Sequence, residues 1–241
     1  MTERFLGALQ LLTIWPVHGK TAPLGESAIF FPLIGALLGA SAGGIMFFSS
    51  RAFIEPLPAM LATAWLIAIT GCLHEDGLAD VADAVRSGRS REKMMLILKD
   101  SRIGTYGAVV LIVSIVLRWQ ALAQCRTNVV YALAAALALS RTTLVVLAAT
   151  TASTGKGLGY AFHSGLSRST LLVAVVQAIA FSFLAGWRYA IALLFASGMV
   201  VVLARRWFLQ RLGGANGDCL GAACQTAETI NLLILAWRPS F

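Results

Sequence analysis

Residues 129–150 read VVYALAAALALSRTTLVVLAAT, an apolar run with one charged residue, Arg141, near its middle. A helix of this length rises about 30 Å, which matches the hydrocarbon thickness of a bilayer. Similar runs lie at about 29–49, 57–73, 105–124, 170–187 and 189–204, and a more polar one lies near 219–237. They predict an all-α, polytopic membrane protein of about six to seven transmembrane helices, organised as one integral-membrane domain over residues 1–241.

The composition supports this class. Of 241 residues, 58% are hydrophobic and 12% are charged, with a mean hydropathy of +0.79. Soluble domains carry about 25% charged residues, so this chain has too few to cover a water-facing surface. The four cysteines lack a C-x-x-C pair, which favours inert thiols. The short apolar stretch 5–15 lacks a small-residue cleavage site and predicts an amphipathic or re-entrant lead-in, not a cleaved signal.

The basic residues predict the orientation. The net charge of +8 does not indicate nucleic acid as a partner, because the 19 Lys and Arg residues are spread between apolar runs. With the N-terminus inside, the inner loops carry Arg4, Lys20, Arg86, Arg89, Arg91, Lys93, Lys99, Arg102, Lys156, Arg168, Arg205, Arg206 and Arg211. The outer loops carry only Arg51, Arg126, Arg188 and Arg238. The positive-inside rule therefore places the loops 74–104, 151–169 and 205–218 on the cytoplasmic face of the membrane.

A short amphipathic segment lies in the first of these loops. Residues 90–101, SREKMMLILKDS, begin with a serine suited to cap a helix, and Met94, Ile97 and Leu98 share one face. The pattern predicts a helix along the cytoplasmic interface.

The stretch HEDGLADVADA, residues 74–84, concentrates the scarce acids of the chain. On a helix, Asp76, Asp80 and Asp83 are spaced i, i+4, i+7 and share one face, where their like charges repel. Binding of a divalent cation such as Mg²⁺ would offset this repulsion, because Mg²⁺ takes carboxylate, water and phosphate oxygens as ligands. His74 and Glu75 add a further ligand or a general base. The alternative is a solvated acidic face balanced by the basic stretch that follows.

Basic and glycine-rich segments supply candidate phosphate contacts. DSRIGTYG, residues 100–107, contains Arg102 and two glycines, and the free N–H groups of the glycines could bind an anion. The alternative is an ordinary basic loop. Arg141 is costly in lipid and must face a polar interior, either in a functional role or paired with an aspartate. Arg118 lies nearer the end of its run and is expected to snorkel to the interface.

Near the C-terminus, RLGGANGDCLGAA at 211–223 places Gly217 and Asp218 where a span begins. Asp218 either completes a metal shell or caps a turn. Glu228, within the last run, either faces a polar interior or argues against a span there. TGKGLG at 154–159 lacks P-loop spacing and predicts a flexible linker. His18 and His163 are interpreted as ordinary packed or surface residues.

LHEDGLADVADA followed by LKDSRIGTYG resembles the cobalamin synthase (adenosylcobinamide-GDP ribazoletransferase) family. FFPLIGALLG at 30–39 and LGGANGDCLGAA at 212–223 match the same family in the same order, whereas Glu75 stands where many relatives carry an apolar residue. The resemblance implies a membrane-bound, Mg²⁺-dependent transferase. α-Ribazole, or its 5′-phosphate, would displace GMP from adenosylcobinamide-GDP. The chain would thus bind these two substrates and the lipid bilayer, and a homo-oligomer is compatible with this activity.

The site residues expected for this chemistry fall into three groups. The catalytic group is His74, Asp76, Asp80, Asp83 and Arg102. The residues expected to hold the substrate phosphates are Arg102, Gly104, Arg141 and Gly217. The expected metal ligands are Asp76, Asp80, Asp83, Asp100 and Asp218.

Two other functions compete with this interpretation. CDP-alcohol phosphotransferases also displace a nucleoside monophosphate, but Ala79 precedes Asp80 where they carry arginine, and their later G-x-x-x-D-x-x-x-D is absent. A transporter would carry acids dispersed through several spans, whereas these acids gather at one membrane face.

Overall fold

In the computed structural model, residues 1–86, 90–100, 102–125, 127–154 and 157–237 are described. The helices in these ranges are α1 (Thr2–Leu12), α2 (Leu24–Ser27), α3 (Phe31–Ser49), α4 (Leu57–Thr70), α5 (Leu73–Arg86), α6 (Arg91–Ile97), α7 (Thr105–Ala123), α8 (Val129–Thr150), α9 (Leu158–Ser164), α10 (Arg168–Ser182), α11 (Trp187–Leu212) and α12 (Gly217–Ala236). Single turns of 3-10 helix, Ala28–Phe30 and Phe183–Ala185, precede α3 and follow α10. The all-α prediction is confirmed for the described residues.

Six helical segments in these ranges are long and apolar enough to cross a membrane. They are Leu24–Ser49, Thr105–Ala123, Val129–Thr150, Arg168–Ala185, Trp187–Leu212 and Gly217–Ala236. The seventh predicted run, near 219–237, thus forms a helix of span length in spite of its polar residues.

The predicted span at 57–73 differs from the structure. Helix α4 ends at Thr70 and has 14 residues, which is about 21 Å and too short to cross the hydrocarbon on its own. Gly71 adopts a left-handed conformation with φ of 61°, and the Cys72 amide donates to the Ile67 carbonyl, which ends the helix. The chain then bends by 87° into α5, so α4 and α5 form a broken span or a re-entrant segment.

Helix α8 lies at the centre of the bundle, and α3 packs closely along it. Gly35, Gly39 and Gly43 form a stripe on α3 at intervals of four residues, and each faces α8 backbone between Val129 and Ala138. Small residues allow two helix backbones to approach in a membrane, where packing rather than hydrophobic burial drives association.

We expect Gly39→Ala to lower thermal stability, because the added methyl group would collide with the Leu133 carbonyl of α8. Forced repacking of this kind costs about 1–3 kcal/mol. Gly44→Ala is the matched control, since a methyl group there meets no atom within 4 Å. Thermal unfolding in detergent checks the pair, and equal melting temperatures would show that the close contact is not required.

The loops predicted to share one membrane face do meet at one end of the bundle. The Thr154 amide donates to the Ala215 carbonyl at 3.1 Å, and the Ala215 amide donates to Ala152 at 2.8 Å. At the other end, the Trp119 indole N–H donates to the Pro56 carbonyl at 3.0 Å. Arg89, Arg126, Lys156 and Arg238, which entered the charge count, lie outside the described residues.

Two amphipathic segments flank the end of the bundle where the predicted cytoplasmic loops meet. The helix predicted over 90–101 is the shorter α6, which buries Met94 and exposes Leu96. Leu98, just after its end, is also buried, and the interfacial position of the helix stays a prediction. At the N-terminus, α1 has 11 residues and is tied to the α2 region by an Arg4–Glu26 ion pair of 2.8 Å. Its length agrees with a lead-in helix that does not span.

Candidate active site

A cavity of about 390 Å³ opens at the end of the bundle where the basic loops meet. Its lining combines an apolar wall from α1, α2, α3 and α9 with a polar wall from the N-terminal turns of α5 and α12. The polar wall carries His74, Asp76, Gly217 and Asp218, four of the residues predicted for the site. Ligand pockets typically have this volume and this mixture of apolar surface with a few polar groups.

The polar wall exists because α5 and α12 cross at very short range. A methyl group on Gly77 would lie 2.7 Å from the Asp218 carbonyl oxygen, and Gly221 faces the backbone at His74. This approach brings Asp218 beside the carboxylates of α5, although about 140 residues separate them. Asp80 experiences the negative charges of Asp76, Asp83 and Asp218, so carboxylates of two helices lie near one another, although no three of them form a metal-binding group within the described residues.

His74 is buried with 2% of its surface exposed, and it lines the cavity. Neither of its ring nitrogens has a hydrogen-bond partner among the described residues. An unpaired buried polar group costs about 1–3 kcal/mol, so such groups are usually satisfied or functional. The placement is compatible with the predicted role of His74 in orienting a substrate hydroxyl.

Asp83 has a different environment from Asp76 and Asp80. Its carboxylate accepts the amide of Gly104 at 2.7 Å and that of Gly107 at 2.9 Å, at the N-terminus of α7. The anion expected at the Gly104 amide is therefore the protein's own side chain, not a substrate phosphate. Asp83 and Gly104 thus form a helix cap, and the expected roles in metal and phosphate binding find no support in this geometry.

We expect Asp83→Ala to lower the stability of the folded protein by about 2 kcal/mol, the upper range for losing a helix cap. Asp83→Asn keeps one acceptor oxygen and should cost less. Neither change should alter the Mg²⁺ concentration at which activity is half-maximal. Thermal unfolding and a Mg²⁺ titration check this, and a large shift in the Mg²⁺ requirement of the Asn variant would return Asp83 to the metal site.

Asp100 and Arg102 pair with each other, away from the cavity. The Arg102 guanidinium donates to both carboxylate oxygens at 3.0 and 2.8 Å. These hydrogen bonds hold the pKa of Asp100 at about 2, below its ordinary 3.8. The Arg102 side chain is 86% exposed, so its expected contact with the diphosphate would require it to leave Asp100.

Arg118 and Arg141 belong to a charge network buried inside the bundle. Arg118 donates to Glu228 at 3.0 Å and to Glu75 at 2.9 Å, while Arg141 pairs with the other oxygen of Glu228. The Gln225 amide, turned so that its oxygen faces Arg118, accepts from the same guanidinium. All four charged residues are at most 5% exposed. The expectation that Arg118 snorkels is wrong, because its partners hold it inside.

This network has two positive and two negative charges, so it is neutral as a unit. Glu228 faces a polar interior, which confirms one of its two predicted placements. Arg141 pairs with a glutamate of α12, not with an aspartate, and it does not line the cavity. Its expected contact with a substrate phosphate therefore lacks support, and the network serves to fix α5, α7, α8 and α12 against one another.

The segment 211–223 builds the rim of the cavity. Asn216 caps α12, since its side-chain oxygen accepts the Cys219 amide at 3.0 Å and its amide donates to Asp218 at 2.7 Å. The residue that caps this turn is therefore Asn216, and not Asp218, for which a cap was one of the two alternatives. Asp218 is left half-buried with one oxygen toward Asn216 and faces the cavity.

Sequence reasoning missed the rest of the cavity lining. Leu12, Phe31, Tyr160 and Phe162 line the cavity, and Lys99 lies at its edge. Helix α9 begins at Leu158, within the glycine-rich stretch 154–159, so the prediction of a flexible linker is wrong for residues 158–159; residues 155–156 lie outside the described ranges. Only the aromatic spacing of LGYAFHS hinted at a packed helix there, and without the fold nothing connected it to α5.

The carboxylates that remain available suit a hard divalent cation. Asp76 and Asp80 have no hydrogen bond or ion pair within the described residues, and Asp218 has one oxygen engaged. No three His, Cys, Asp or Glu side chains in these ranges converge into a complete ligand set. Mg²⁺ commonly uses one or two carboxylates together with water and substrate phosphates, so this donor set fits such an ion.

Comparison with known proteins identifies the family of the chain. A model of the family described as cobalamin-5-phosphate synthase matches residues 4–236. The chain belongs to this family. The match covers α1 to α12, including both walls of the cavity, and confirms the resemblance seen in the motifs.

Curated members of the cobalamin-5-phosphate synthase family agree along the whole chain. The adenosylcobinamide-GDP ribazoletransferase of Bradyrhizobium diazoefficiens is 35% identical over 238 residues, covering 95% of this chain and 91% of its own. Those of Geotalea daltonii and Herpetosiphon aurantiacus are 32% and 36% identical, covering 98% of this chain and 97% of theirs. No solved structure matches the chain. Neither the family nor these relatives favour a CDP-alcohol phosphotransferase or a transporter.

Proposed function

We propose that the protein transfers the adenosylcobinamide phosphate group from adenosylcobinamide-GDP to α-ribazole or its 5′-phosphate, with release of GMP. A ribose hydroxyl oxygen of the acceptor bonds to the phosphorus on the cobinamide side of the diphosphate. The bond from that phosphorus to the bridging oxygen breaks, GMP leaves with the bridging oxygen, and the hydroxyl proton is lost. The observation that carries the proposal is the polar wall, where His74 and the carboxylates of α5 and α12 meet at a substrate-sized cavity in a chain of this family.

One or two of the carboxylates of Asp76, Asp80 and Asp218 would hold Mg²⁺, which would neutralise charge on the diphosphate. His74 would accept a hydrogen bond from the attacking hydroxyl through whichever ring nitrogen is unprotonated. The apolar side chains of the lining would limit the access of water to the attacking hydroxyl. The positive-inside charge pattern further supports a site that faces the cytoplasm of a bacterial inner membrane, where phosphorylated substrates are available.

The test is to incubate membranes carrying the protein with adenosylcobinamide-GDP, α-ribazole and Mg²⁺ and to follow GMP. We expect GMP release that depends on α-ribazole and stops when a chelator is added. Membranes without the protein serve as the control. GMP formation no faster than in those membranes would refute the proposed function, and formation unaffected by chelator would refute the metal assignment alone.

A further inference from the structure

The two walls of the cavity differ in their chemistry, and this difference bears on which reactant enters. Leu12 of α1, Leu24 of α2, Phe31 of α3 and Phe162 of α9 form an apolar part of the cavity lining. The rings of Phe31 and Phe162 lie in contact, with centroids 5.2 Å apart. None of these side chains can donate or accept a hydrogen bond.

The polar groups of the cavity include buried polar atoms of two side chains, His74 and Thr154, that have no hydrogen-bond partner within the described residues, and Lys99 and Tyr160 also line it. His74 reaches the cavity with both ring nitrogens unpaired within the described residues. Asp76 and Asp218 stand at the same wall. A ligand that fills the space should therefore present an apolar ring system to one wall and hydroxyl groups to the other.

The reactants of the proposed function, on which this inference rests, differ in how well they meet that requirement. A corrinoid is several times larger than a nucleoside and exceeds a cavity of about 390 Å³. Guanine presents N–H donors and a carbonyl acceptor along one edge, and these would lose their hydrogen bonds against a wall of leucine and phenylalanine. The base of the acceptor is a benzene-fused imidazole with no N–H group, so it can enter without that loss.

We infer that the cavity is the subsite of the acceptor nucleoside, which places its fused bicyclic base between α1, α3 and α9 and its ribose against His74. In this position the ribose hydroxyl lies on the side of the carboxylates. The corrinoid and the guanosine of the donor remain outside the cavity, at the rim near Asn216. The apolar wall thus selects the acceptor by excluding bases with a polar edge.

Two variants of the apolar wall test the assignment. Phe162→Ala removes an aromatic contact, which is worth about 0.5–1.5 kcal/mol, so the dissociation constant and the KM for α-ribazole should rise about 2- to 12-fold. Leu24→Trp instead fills the cavity from a half-buried position, and it should raise both constants at least as much. Phe195→Ala is the matched control, because Phe195 is 70% exposed on the lipid-facing side of α11.

The readouts separate this inference from the proposed function. Binding of α-ribazole to the full-length protein in detergent is followed by equilibrium dialysis without donor or metal, with 1-methylbenzimidazole, which like the acceptor base has no N–H group, and guanosine as competitors. We expect 1-methylbenzimidazole but not guanosine to compete, and the KM for adenosylcobinamide-GDP to stay within twofold in both variants. An increased KM for the donor with unchanged acceptor binding would assign the cavity to guanosine and overturn the inference. Equal acceptor binding in wild type and both variants would also overturn it, whereas only a wild type without GMP release would overturn the proposed function.

Discussion

Replacing Glu228 with glutamine is expected to remove most of the folded protein from the membrane. The two oxygens of this side chain are shared between Arg118 and Arg141, and all three residues are buried. Loss of the carboxylate charge leaves two guanidinium groups with only Glu75 to balance them. Breaking a buried ion pair costs about 3–5 kcal/mol, which is a large part of the 5–15 kcal/mol that stabilises a typical protein.

The measurement is the fraction of protein that elutes as a single species after extraction in a mild detergent, together with its melting temperature. Glu55→Gln is the control, since Glu55 is exposed in the loop before α4. The double variant Glu228→Gln with Arg141→Met should recover part of the loss, because one arginine and one glutamate again remain. A stable Glu228→Gln single variant would mean that the network is not required for the fold.

Replacing Asp76 with asparagine is expected to reduce GMP release at least about 100-fold, the effect typical of losing one group that stabilises charge at a reacting centre. Asp76 lines the cavity and has no partner within the described residues. Its charge is therefore available for Mg²⁺ and plays no part in holding helices together. Because no structural contact is lost, the variant should insert and unfold like the wild type.

The assay compares initial rates of GMP release at saturating substrates over a range of Mg²⁺ concentrations. Glu92→Gln is the control, as it removes a charge from the exposed surface of α6 at the same membrane face. Partial recovery of the Asp76→Asn rate by high Mg²⁺ would strengthen the metal assignment. Wild-type turnover in this variant at ordinary Mg²⁺ would refute it.

Much of the fold was predictable because a bilayer imposes a simple rule on sequence. Long apolar runs such as 129–150 must become helices of about the hydrocarbon thickness, and charge counts orient them. The bend after Thr70 was not predictable from hydropathy, since the run 57–73 is apolar throughout. It arises from the capping of α4 by Gly71 and Cys72, which is decided by local backbone geometry.

The positions of the site residues could be predicted where they depend on spacing along one helix. They could be predicted less well where they depend on contacts with another helix. The helical spacing of Asp76 and Asp80 could be read directly, and a glycine-rich N-terminus placed Asp218 at a helix start. The same spacing gave Asp83 an equal role, but the start of α7 occupies its oxygens. Arg141 was expected to be functional or paired with an aspartate, and Glu228 to face a polar interior if its run is a span; only the packing of α8 against α12 shows that the two side chains pair with each other.

The chain order of the buried network has a consequence for biogenesis. The ribosome delivers Glu75 before Arg118, so that pair can form early, but Arg141 emerges 87 residues ahead of Glu228. At typical elongation rates of about 5–20 residues per second, the delay lasts roughly 4–17 s. During that time Arg141 of α8 lacks this partner, and its positive charge is unfavourable in lipid. Helix α8 can therefore reach its final position only after the last span has been translated.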